Sequence, residues 1–187
     1  MNYELFQAIH RHAGHHPFMD SFMVFITEKA LIIYAIALLL MWFFGSRIYK
    51  KTVLLAALTG FLGLLLNLII SKIYFEPRPF VTHLVDVLIY HTADASFPSD
   101  HTTGAFSLAF AVLFRHRKIG LGMLLLAVLT GISRIYVGHH YPIDVMGSIV
   151  VGMLVSVFIY KTSSFLEQIL QSIINIYYRI AQFPQKK

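Results

Sequence analysis

The chain contains no cysteine, and only 13% of its 187 residues are charged. The first absence removes disulfide scaffolds, thiolate metal sites and cysteine nucleophiles. The second is roughly half the charged fraction of a soluble domain, so an ordinary water-soluble globule is not expected. Disorder is excluded from the opposite direction, because 57% of the residues are hydrophobic and no low-complexity tract occurs. The N-terminus also lacks a basic start followed by an apolar run. Its first twenty residues hold Glu4, Arg11, Asp20 and four histidines, so a cleavable signal peptide is not expected. The length fits a single domain spanning 1–187.

What is abundant is apolar sequence without charge. Stretches free of Asp, Glu, Lys and Arg run Ala30–Ser46, Thr52–Ser71, Thr102–Phe114, Ile119–Ser133 and Val145–Tyr160. A bilayer crossing takes about 17–25 largely apolar residues. The second run meets that alone, the others borrow a flanking turn, and the third must start near Ser96–Ser99. Five such runs leave too little polar sequence to coat buried soluble helices. The expected fold is therefore an all-α integral membrane protein, a bundle of about five transmembrane helices. Residues 1–28 are expected to lie along the outer interface. Phe165, Ile169, Ile173, Ile176 and Ile180 recur at helical spacing, which predicts a C-terminal amphipathic helix on the cytoplasmic surface.

The formal charge of +6 is explained by where the cations fall. With five crossings, ten Lys and Arg gather on one side, from Arg47, Lys50 and Lys51 through Arg115, Arg117 and Lys118 to Lys186 and Lys187. Five remain on the other: Arg11, Lys29, Lys72, Arg78 and Arg134. The positive-inside rule puts the N-terminus outside and the C-terminus in the cytoplasm, and nucleic acid need not be invoked. The outer side also receives eight of the nine acids and nine of the ten histidines, which points to chemistry on that face.

Three outward clusters carry candidate chemistry. In Lys72-Ile73-Tyr74-Phe75-Glu76-Pro77-Arg78-Pro79, two prolines hold Arg78 in an extended segment, where a guanidinium makes a phosphate fork. The plainer alternative is a cationic pair reaching lipid head groups. In Ser96-Phe97-Pro98-Ser99-Asp100-His101-Thr102, Ser99 is a natural N-cap, so a helix N-terminus can hold an anion beside His101. An ordinary cap with an interfacial histidine is the alternative. In Ser133-Arg134-Ile135-Tyr136-Val137-Gly138-His139-His140-Tyr141-Pro142-Ile143-Asp144, Pro142 fits the first position of a helix. The Asp144 carboxylate there can accept the Nδ1 proton of His140 and leave Nε2 free to attack; a structural His–Asp pair is the alternative. Together the clusters supply three basic groups, a helix N-terminus, an acid-backed histidine and a second histidine, an inventory suited to phosphoryl transfer.

These residues resemble the type-2 phosphatidic acid phosphatase superfamily, the lipid phosphate phosphatases, whose motifs read K-x6-R-P, P-S-G-H and S-R-x5-H-x3-D. The third is complete from Ser133 through His140 to Asp144, the second appears as Pro98-Ser99-Asp100-His101, and the first lies around Lys72 and Arg78-Pro79. The motif core is 72–144. The wording around the motifs is similar to the family's undecaprenyl-diphosphatase branch, which is linked to bacitracin resistance. The resemblance implies a membrane phosphatase acting on undecaprenyl diphosphate at the outer leaflet. It gives His140 as the nucleophile, His101 as acid and then base, and Asp144 as support for His140. Arg78, Arg134, Ser99 and Lys72 then hold phosphoryl oxygens. No metal or other cofactor is expected. Two departures stand out: Lys72 is one position nearer Arg78 than the family pattern has it, with Ser71 in the lysine position, and Asp100 replaces a glycine. A one-residue slip turns a helical side chain by about 100°. Asp100 and His139 are candidate accessory contacts. Sister activities on phosphatidylglycerophosphate or phosphatidic acid stay open, as does a histidine-based metal transporter or sensor.

Overall fold

The structure, a computed structural model, describes residues 1–182; Lys186 and Lys187 lie outside the described residues. Among the described residues it is all-helical: α1 (Asn2–His10), α2 (Pro17–Phe44), α3 (Arg47–Ile73), α4 (Pro79–Thr82), α5 (Asp100–Leu113), α6 (Arg117–Tyr136), α7 (Pro142–Thr162) and α8 (Glu167–Gln182). The helix starts follow local chemistry. α2, α4 and α7 each open on a proline, whose missing N–H costs nothing in a first turn. α3 ends ahead of Pro77, and Arg78 is extended at φ −66, ψ 156, as the flanking prolines require.

α2, α3, α6 and α7 are each long and apolar enough to cross a bilayer. The third of the five apolar runs becomes α5, which begins at Asp100 and has 14 residues. At 1.5 Å per residue it spans about 21 Å, short of the roughly 30 Å hydrocarbon core. It is the axis of the bundle, packed against α3, α6 and α7. Small residues permit this approach: Gly104, Ala105, Ser107, Ala109 and Ala111 are all buried along it. The outer surface is apolar instead, with Phe43, Leu125 and Phe158 60–65% exposed, the inverse of a soluble protein and the arrangement that lipid requires.

One expectation is corrected, at the N-terminus. Residues 17–28 belong to α2, because Pro17 starts the helix and Asp20 is satisfied within it by the Tyr136 hydroxyl at 2.7 Å. Only α1 remains of the interfacial segment, and it is docked: Phe6 is fully buried and His10 Nδ1 bonds the Tyr136 carbonyl at 2.8 Å. At the opposite end, α8 packs Leu170 and Ile174 inward. Lys51 pairs with Glu167, and Arg47 donates to Asn175 at 2.7 Å. The stripe Phe165, Ile169, Ile173, Ile176 and Ile180 stays exposed, as a helix lying on a membrane surface needs.

Candidate active site

At the end of the bundle where α3 and α6 finish and α5 and α7 begin, a cavity of about 600 Å³ opens. Its deep part is formed by Arg78, Arg134 and His140, all at most 5% exposed. His91, Asp94, Asp100 and His101 line it further out. Lys72 stands at the mouth beside an apolar wall of Leu31, Leu64, Leu68 and Phe75. The three clusters read from the sequence therefore converge on one space.

The turn after α6 delivers the histidines. Gly138 sits at φ +91, a left-handed conformation that glycine adopts without a Cβ penalty. There the amides of His139 and His140 both close on the Arg134 carbonyl, at 3.1 and 3.3 Å. Asp144, in the first turn of α7, accepts the Tyr141 N–H at 2.8 Å. That fixes His140 just ahead of the helix, with both of its ring nitrogens engaged.

Those ring contacts decide the tautomer. His140 Nδ1 lies 2.8 Å from the Ser96 carbonyl oxygen, which only accepts, so Nδ1 carries the proton and Nε2 the lone pair. The expected direct bond from Nδ1 to Asp144 is not the contact made: Asp144 Oδ2 is 3.6 Å away and accepts the Ser96 hydroxyl at 2.5 Å. The antiparallel pairing of Pro77 with Ala95, with Ser96 N–H bonded to the Glu76 carbonyl at 2.7 Å, puts Ser96 between acid and imidazole. On the other side, Nε2 faces Arg78 Nη1 at 3.0 Å and Arg134 Nη2 at 3.4 Å. Burial, and then the two guanidinium charges, hold the His140 pKa well below the usual histidine value, leaving the ring neutral with its lone pair in the cavity.

Arg78 is fixed by three further bonds, to Asp94 Oδ1 at 2.7 Å and to the His139 and Ala95 carbonyls at 3.0 and 3.3 Å. Burial raises and the Arg78 ion pair lowers the Asp94 pKa, and the pair wins. Arg134 has less: its Nε is buried without a partner among the described residues, although buried donors are almost always satisfied. Asp100 is held by Asn67 Nδ2 at 2.9 Å, and Asn67 Oδ1 in turn accepts from Thr103 at 3.1 Å. The acid that replaces glycine thus has an amide partner rather than an arginine.

Two expected contacts lie outside the cavity. Ser99 is the N-cap residue of α5 but fully buried; its hydroxyl accepts from Thr102 at 3.1 Å and its N–H donates to Ser148 at 2.8 Å. His139 points into the protein, with Nε2 2.9 Å from the Ile89 carbonyl. Burial first, then Arg134, pushes its pKa down to about 3. It pins the loop that carries Asp94. Conversely, the sequence pattern gave no role to Asp94 or Asn67. Neither Asp94 nor Asn67 falls in a motif; only folding brings them to the site. Ser96 did stand in the second cluster, but its carbonyl role has no sequence signature.

Residues 52–167 match the PAP2 superfamily. The chain belongs to this superfamily. Its relatives include Undecaprenyl-diphosphatase BcrC of Bacillus subtilis (strain 168), 50% identical over 187 residues, covering 100% of this chain and 97% of that protein. Bacitracin transport permease protein BcrC of Bacillus licheniformis is 30% identical, covering 100% of this chain and 94% of its own. Among solved structures, Aquifex aeolicus LpxE superimposes with a TM-score of 0.72 at 27% identity, over 86% of this chain and 94% of that one.

Proposed function

We propose that this PAP2 phosphatase hydrolyses undecaprenyl diphosphate to undecaprenyl phosphate and inorganic phosphate, at the outer leaflet and through a phosphohistidine on His140. The observation that carries the reading is the His140 ring, held neutral with Nε2 unprotonated and two guanidinium groups within 3.4 Å of it, at the bottom of a cavity that opens on an apolar wall. The half-identity to BcrC supports the choice of lipid.

In this mechanism Nε2 attacks the terminal phosphorus, and the bond to the bridging oxygen breaks. His101 protonates the departing undecaprenyl phosphate, then takes a proton from the water that hydrolyses the N–P bond. The guanidinium protons now facing Nε2 turn to the equatorial oxygens as charge spreads over them, and Arg134 Nε gains the acceptor it lacks. The Ser96 carbonyl accepts the hydrogen bond from Nδ1–H, while Asp144 acts through the Ser96 hydroxyl and supports the imidazolium that forms. The arginines do the charge work that a metal does in other phosphatases. In the cell, the reaction returns the carrier lipid to cell-wall synthesis and removes the diphosphate that bacitracin recognises. The excess of Lys and Arg at the α8 end supports an extracytoplasmic site and a cytoplasmic C-terminus.

The test is turnover of undecaprenyl diphosphate, phosphatidylglycerophosphate and phosphatidic acid side by side by purified protein in detergent. A kcat/KM at least tenfold higher for the diphosphate is expected. Preference for either glycerophospholipid would replace this substrate while leaving the histidine chemistry in place.

A further inference from the structure

The cavity divides its cations between two depths. Arg78 and Arg134 lie at the bottom, 5% and 2% exposed, and both face His140 Nε2. Lys72 is exposed at the mouth. Among the described residues no acid lies within ion-pair distance of its Nζ, and it lines the same space. It lies in the last turn of α3, the helix whose Leu64 and Leu68 form part of the apolar wall.

A phosphorus attacked by His140 must sit about 3–3.5 Å from Nε2, so the terminal phosphoryl group occupies the arginine end. The hydrocarbon chain must lie along the apolar wall to remain in the bilayer. A second phosphate, placed between the two, is then at the depth of Lys72. A mobile ammonium suits that place, because it neutralises charge without imposing the planar fork that fixes the reacting group. The register of the sequence fits this: one residue further along α3, the side chain turns by about 100° from the family's lysine position.

Resting on the diphosphatase reading, we infer that Lys72 binds the second, lipid-attached phosphate of a diphosphate rather than the group being transferred, and so sets preference for diphosphates over monophosphates. The test uses two soluble probes, inorganic diphosphate and inorganic phosphate, as competitive inhibitors of Lys72→Met and wild type on whichever lipid phosphate the enzyme turns over. The expected result is a Ki for diphosphate raised at least tenfold with the Ki for phosphate moved less than threefold, and recovery of diphosphate binding in Lys72→Arg. Equal loss for both probes would place Lys72 with the transferred phosphoryl group. No change for either would put it outside the site. Both outcomes overturn the inference. Turnover remaining in Lys72→Met certifies its fold, and Lys72→Gln provides the measurement if Lys72→Met is inactive. Failure of wild type to hydrolyse undecaprenyl diphosphate would refute the substrate reading separately, because the two inhibition constants do not depend on that lipid.

Discussion

His140 and its neighbours respond to pH in a way that can be worked out residue by residue. His139 has a folded pKa of about 3, and that of His140 is also lowered by burial and by the arginines. Unfolded, both titrate near 6.5. Between roughly pH 6.5 and 3 the unfolded chain therefore binds more protons at His139, and stability falls as pH falls, by up to about 1.4 kcal/mol per pH unit; His140 acts in the same direction. Thermal unfolding in detergent should show Tm dropping from pH 7 to pH 5, less steeply in His139→Gln; an identical slope would remove His139 from the account. Catalytically, the acid limb of kcat/KM should lie below the usual histidine value, since attack needs the neutral ring. Arg78→Ala and Arg134→Ala should each reduce turnover at least tenfold, and Arg134→Lys should not restore it, because an ammonium cannot form the fork. A near-normal rate in either alanine variant would exclude that residue from the phosphate site. At this scale the motif residues Arg78, His101, Arg134, His140 and Asp144 were legible because their spacing is local. Asp94 and the Ser96 carbonyl were not, since they depend on one extended segment pairing with another across a long loop.

Helices succeed or fail here on close approach. A Cβ on Gly120 would come within 2.5 Å of the Leu113 backbone nitrogen, which has no rotamer to yield. Two residues on, Gly122 has nothing within 4 Å. Gly120→Ala should therefore lower stability by about 1–3 kcal/mol, whereas Gly122→Ala should be neutral or stabilising by up to about 1 kcal/mol. Thermal denaturation of the pair checks this, and equal Tm values would contradict the packing of α6 on α5. Charge-free runs located α2, α3, α6 and α7, because a lipid-facing helix must be apolar nearly all round. They did not reveal that α5 is too short to cross alone, because its shortness reflects enclosure by neighbours rather than hydropathy. Nor did they give the start of α2, whose first turns carry polar residues that tertiary contacts satisfy. The apolar stripe of α8 was legible, while its protein-facing side, Leu170 and Ile174, was hidden among the other apolar positions.

For the whole molecule, sidedness and chemistry are linked: the site and α1 lie at one end of the bundle, α8 and most of the cations at the other. The chain has no cysteine, so single cysteines at His15 and Lys118, both exposed, give labelling without background. A membrane-impermeant maleimide should modify His15→Cys in intact cells and Lys118→Cys only after permeabilisation; the reverse would put the site in the cytoplasm. The central claim is histidine-based hydrolysis of a lipid diphosphate with arginines in the place of a metal. It is tested most directly by phosphate release from undecaprenyl diphosphate in detergent with excess EDTA, using wild type beside a folded His140→Ala. Undiminished release by wild type and a loss of at least a thousandfold in the variant are the expected result. Release that EDTA abolishes and added metal restores, or that survives in His140→Ala, would contradict the account.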